Sequence, residues 1–114
     1  MDAISSVILL KAMDGLSLRA TATSQNIANA NSLGYRPIRV SFEDALRVAS
    51  RVDAETIRAV IPRIEPATDQ IGRSELRLDL EMATAASTAG RFGTLAELLN
   101  RCLQIEALSV SGTR

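Results

Sequence analysis

Residues 22–36 read Ala22-Thr23-Ser24-Gln25-Asn26-Ile27-Ala28-Asn29-Ala30-Asn31-Ser32-Leu33-Gly34-Tyr35-Arg36, and they set where the first element of the chain must end. Asparagine is a poor helix-interior residue because its side chain competes for nearby backbone groups, so Asn26, Asn29 and Asn31 need a reason beyond propensity. Asn26 and Asn29 stand three apart and share one helical face. An amide here suits either local capping or a neighbouring subunit's backbone. Glycine accepts the left-handed conformation that closes many helices, and Pro37 then blocks continuation, so the helix is expected to stop between Asn31 and Gly34.

Upstream of this stop, no proline occurs from Asp2 to Asn31. Apolar or small residues recur at Leu9, Met13, Leu16, Ala20, Thr23, Ile27 and Ala30, in steps of four and three that make one helical stripe. Such a helix of about 30 residues is about 45 Å long. Gly15 inside it is either a weak point or a site where another group comes close.

Downstream, Tyr35 and Arg36 are expected to be extended, because the residue before a proline avoids the helical region. Ser41 is placed to cap a short helix running to about Ser50, with Glu43 and Asp44 favouring its positive end. Pro62 and Pro66 punctuate residues 51–72, where no period persists. Thr56 to Glu65 is read as extended or loosely strand-like, and Pro66 to Gly72 as a turn-rich loop. A second helical pattern covers Leu78 to Leu108: Leu95, Leu98, Cys102 and Ile105 mark one face, and Leu99 and Leu103 widen it. Its first half is thin, with Ala83, Ala85, Ala86, Ala89, Gly90 and Gly93. The tail from Ser109 is expected to fray.

The chain is therefore expected to be mainly α. Two long terminal helices, 1–34 and 75–114, form an antiparallel coiled-coil-like hairpin, and 35–74 is a short irregular or extended insert with a small helix. One pair of helices cannot cover the broad C-terminal stripe. Each uncovered leucine or isoleucine forgoes roughly 1.5–3 kcal/mol, so self-association or co-assembly is expected.

Composition narrows the function classes. With 114 residues, one structural unit is the default, and Tyr35, Phe42 and Phe92 are the only aromatic residues. Thirteen basic residues balance thirteen acidic ones, and Lys11 is the sole lysine, so no basic run marks a nucleic-acid or anionic membrane surface. Histidine is absent and Cys102 stands alone, which leaves no disulfide framework and no base to activate the thiol. Neither Glu43-Asp44 nor Asp79 with Glu81 faces its neighbour across a helix turn, so neither is an acid–base dyad by itself. No catalytic residue, cofactor or metal is expected. The apolar run Val7-Ile8-Leu9-Leu10 falls far short of the roughly 20 residues that cross a bilayer and lacks the signal-peptide pattern. Any export is therefore expected to proceed without a cleaved signal.

The run Asn26-Ile27-Ala28-Asn29, with Ser32, Gly34 and Tyr35 at their spacings, resembles the N-terminal motif of the flagellar basal-body rod and hook family. In that family, an Asn-[Ile/Leu]-Ala-Asn-x-x-[Thr/Ser]-x-Gly-[Tyr/Phe] run closes the first helix. Arg36 to Leu46 is similar to a segment of FlgB-type proximal rod proteins, with Ser41 where aspartate is usual before Phe42. Leu78-Asp79-Leu80-Glu81-Met82-Ala83 resembles the start of the FlgB-type C-terminal helix. The Val-Asn-Met-Ile pattern of FlgC-type and distal rod proteins does not occur, and Gly72-Arg73-Ser74-Glu75 stands where Gly-Asn-Asn is usual. The resemblance covers both ends and leaves out Arg47 to Ile71.

The resemblance implies a structural, torque-transmitting subunit of the periplasmic rod, joining the MS ring and export gate to the distal rod. Its implied partners are other copies of the chain, FlgC-like and FlgF-like rod proteins, FliE, the FliF ring and the export gate. The candidate assembly residues are Asn26, Ile27, Asn29, Asn31, Gly34, Tyr35 and Phe42 at the first helix end. On the second helix they are Leu95, Leu98, Leu99, Cys102 and Ile105. A FlgC-like sibling is the nearest alternative. A cytoplasmic helical adapter is another, but it leaves the asparagine motif unexplained.

Overall fold

The computed structural model describes residues 2–67 and 77–112, in the order helix α1 (Ala3–Ala28), strand β1 (Ile38–Ser41), helices α2 (Glu43–Ala49) and α3 (Ala54–Arg58), strand β2 (Arg63–Pro66) and helix α4 (Leu78–Gly112). The protein is mainly helical, with long N- and C-terminal helices and a two-stranded sheet. The Asp2 side chain caps α1 by accepting from the Ser5 N–H at 2.7 Å.

α1 stops at Ala28, before the expected Asn31. Asn29 is the reason. Its backbone N–H and its Nδ2 both donate to the Gln25 carbonyl, at 3.0 and 2.9 Å, which closes the last turn. Gly34 is not the cap; it sits in a separate turn in which the Tyr35 N–H donates to the Ser32 carbonyl. That turn needs the glycine, whose φ is +77°.

Over its described residues, 35–67, the insert carries regular structure rather than being irregular. β1 and β2 pair antiparallel with Val40 opposite Ile64 and Ser41 opposite Arg63. Ser41 thus belongs to the strand instead of capping α2. Its hydroxyl donates to Glu65 Oε1 at 2.9 Å, and Phe42 takes the cap position without a side-chain bond. Thr56 to Arg58 is helical, against the expected extended reading. Asp53 accepts from both the N–H and the hydroxyl of Thr56, so a local cap outweighs the β preference of Thr56 and Ile57. The strand-like reading holds for residues 63–65, and most of the expected loop after Pro66 lies outside the described residues.

The core joins Leu16 and Ala22 of α1, Val40 of β1, Phe42, Leu46 and Ala49 of α2 and its approach, and Ile57 of α3. Ile57 is wholly buried. The buried side of α1 carries Leu9, Gly15, Leu16, Ala22, Thr23 and Asn26, rotated from the expected stripe: Ala20 is exposed, and Met13 and Ile27 are half-buried. That rotation follows the insert, which covers the Gly15 and Ala22 side.

α4 lies along another side of α1. Asn26 meets Glu81, Leu16 and Ala20 line a cavity with Thr88 and Phe92, and Ala12 lines another with Leu95. The pairings descend α1 while ascending α4, which is compatible with an antiparallel hairpin. Continued at that register, the N-terminal start of α1 falls opposite about residue 104, so the last turns of α4 run past it. The molecule is elongated, 63 × 27 × 17 Å.

Candidate assembly site

Asn26 is 1% exposed and uses its whole amide within the chain. Its Oδ1 accepts from the Ile38 N–H at 3.0 Å and from the Tyr35 hydroxyl at 2.6 Å. Its Nδ2 donates to the Ile38 carbonyl at 2.7 Å and to Glu81 Oε2 at 3.1 Å. An amide offers two donor hydrogens and two lone pairs, and all four are taken. Neither a local cap nor a neighbour's backbone describes this residue. It ties the end of α1 to the start of β1 and to the first turn of α4.

Asn29 is the local cap, and its Oδ1 accepts from the Ser32 hydroxyl at 3.0 Å. Tyr35 is half-buried with its hydroxyl committed to Asn26, and Ile27 is half-buried. Asn31 and Gly34 are exposed, as is Leu33 beside them. Phe42, expected on the surface, is a core residue. Its ring packs so closely under Gly15 that a Cβ there would lie 2.5 Å from it. The sequence reading missed the clasp above the ring. Arg19 makes two 2.7 Å bonds to the Glu43 carboxylate, donates to the Val40 carbonyl at 2.8 Å and sits 4.9 Å from the Phe42 centroid. No local signal links Arg19 to a glutamate 24 residues away; only the fold brings them together.

The Arg19 bonds hold the Glu43 carboxyl below its ordinary range, with partial burial acting the other way. The Ser41 hydroxyl, then Arg39, does the same to Glu65. Asp44 is paired with Arg47, Asp79 with Arg77, and Glu81 meets Asn26, so the paired carboxylates of the sequence are drawn apart rather than turned toward one another. Among the described residues, no three potential ligands cluster to hold a metal, and no helix is long and apolar enough to cross a membrane.

On α4 the five candidates divide. Leu95, Leu99 and Cys102 are half-buried. Leu98 and Ile105, seven residues apart and on one face, are exposed. Leu103 and Val110 repeat that spacing on a second exposed row, and Leu78, Leu80, Met82 and Leu108 add to the uncovered surface; Leu108 is 72% exposed. Between α4 and the clasp lies an apolar cavity of about 560 Å³, lined by Ala12, Leu16, Phe42, Thr94 and Leu95 with Glu43 and Arg91 among its walls. No protein-family model and no curated protein matches this chain.

Proposed function

We propose that this protein is a structural subunit of the bacterial flagellar basal-body rod, of the FlgB-like proximal type, and that it works by helical co-assembly rather than by catalysis. The exposed apolar rows of α4 carry this reading. Each large side chain left in water forgoes roughly 1.5–3 kcal/mol of burial, and a surface of this extent marks a protein-binding face. The asparagine motif supports it from the other end, because Asn26, Asn29, Gly34 and Tyr35 stand at the spacings that the rod-family resemblance describes.

In this reading, the coiled-coil-like pairing of α1 and α4 tightens in the assembly, where neighbouring helices cover Leu98, Leu103 and Ile105. Those neighbours are other copies of the chain, FlgC-like and FlgF-like subunits and FliE, with the FliF ring and export gate at the proximal end. The subunit then resides in the periplasmic rod.

The test is immunogold labelling of basal bodies purified from the native host. Label on the rod is the expected result. Retention of the chain in the cytosol, with unlabelled basal bodies, would overturn the rod and favour a helical adapter.

A further inference from the structure

The cavity of about 560 Å³ between α4 and the clasp is an apolar groove, lined by the core residues Leu16 and Phe42 and, on α4, by Gly90, Thr94 and Leu95. Gly90 has no intrachain reason to lack a side chain. Its backbone is helical, and an added Cβ would meet nothing within 4 Å. Glycine loosens a helix interior, so alanine would serve the isolated chain better. What the missing side chain does is leave room in the groove.

The charges at the rim of the groove are unbalanced. Arg19 and Arg91 share one carboxylate, Glu43; Arg19 takes it with two 2.7 Å bonds, and Arg91 is left 3.9 Å away. The neighbouring Asp44 is held by Arg47. One surplus positive charge therefore stands beside an apolar surface.

A matching segment lies at the far end of the same helix. α4 runs past the start of α1, and there Ile105 is 65% and Leu108 72% exposed. From Cys102 to Val110 the one charged residue is Glu106, which has no ion pair among the described residues. At about 100° per residue, Ile105 lies between Leu108 and Glu106 around the helix, so two apolar side chains can enter a groove with the carboxylate at its rim. The tip cannot reach its own groove. Both belong to one continuous helix, on which Ile105 lies about 22 Å beyond Gly90.

We propose that the groove beside Gly90 receives the α4 tip of a second copy of this chain. Ile105 and Leu108 fill the space over Leu16 and Phe42, and Glu106 pairs with Arg91. Apolar surface then leaves water on both copies, and the charge pair sets the register. The inference rests on the co-assembly part of the proposed function and deepens it by naming the two surfaces that meet; the rod itself is decided separately, by where the gold label lies.

The test is sedimentation of the full-length chain and of two variants, Gly90→Leu in the groove and Ile105→Ser with Leu108→Ser at the tip. The unaltered chain is expected to self-associate, and each variant alone to do so at least about tenfold more weakly while melting near the same temperature. An equimolar mixture of the two variants is expected to form a 1:1 complex, because it still holds one intact groove and one intact tip. Arg91→Glu and Glu106→Arg are each expected to weaken association and, combined in one chain, to restore it. Should Gly90→Leu melt early, this charge exchange decides. A mixture that stays monomeric, a folded Gly90→Leu chain that associates like the unaltered one, a charge exchange that restores nothing, or an unaltered chain still monomeric at about 1 mM would each overturn the proposal.

Discussion

The side-chain amide of Asn26 brackets the backbone of Ile38, accepting from its N–H at 3.0 Å and donating to its carbonyl at 2.7 Å. Twelve residues separate them, yet the pair mimics one rung of a sheet between a helix and the strand that follows it. Asn26→Ala leaves both Ile38 groups without these partners in a largely dry place and is expected to cost about 3 kcal/mol, read as a lower urea midpoint. Tyr35→Phe removes only the third bond and is expected to cost about 1 kcal/mol.

Gly15→Ala is expected to destabilise despite the better helix propensity of alanine. The added Cβ would meet the Phe42 ring at 2.5 Å, and overpacking of this kind costs about 1–3 kcal/mol against a propensity gain of about 1. Phe42→Leu in the same chain makes room, so the double variant should lose less than the sum of the two single ones. Thermal melts of the four proteins close the cycle.

Gly34 differs from Gly15 in cause. A Cβ there meets nothing, and the constraint is its φ of +77°. Gly34→Ala is expected to cost about 1–2 kcal/mol in chemical denaturation, and Gly34→Asn less, since asparagine tolerates that backbone region better.

Acid should loosen the clasp. Glu43 titrates below its ordinary 4.5 in the folded chain because Arg19 bonds to it. Its contribution is therefore complete above pH 4.5 and is lost as the pH falls through the lower folded value. Glu43→Gln is expected to lower stability at pH 7 and to flatten part of the acid limb of a stability profile. Glu65, also depressed by Ser41 and Arg39, keeps the remainder.

Leu98→Ser combined with Ile105→Ser is expected to weaken self-association by about tenfold or more while leaving the monomer's melting temperature nearly unchanged. Both side chains are exposed in the single chain, so they have little intrachain burial to lose. Sedimentation equilibrium reads the first effect and calorimetry the second.

Local chemistry alone determined the two long helices. Proline-free runs with apolar steps of three and four favour helix over any other regular form, and Asn29 ends the first within a few residues of the stop expected from Gly34 and Pro37. The short helix after Phe42 was legible for the same reason. The cap of Asp53 on Thr56 was local too, and the β-branched residues beside it obscured it. What only the tertiary structure decided were relations between distant residues: Asn26 with Ile38, Arg19 with Glu43, Gly15 with Phe42, and Ser41 with Glu65. These turned Asn26 and Phe42 from surface candidates into internal supports and rotated the buried side of α1. Periodicity reports that a helix has an apolar side, but which neighbour covers it depends on contacts closed across loops. Here the insert took the core side of α1, and α4 was left with most of its leucines in water.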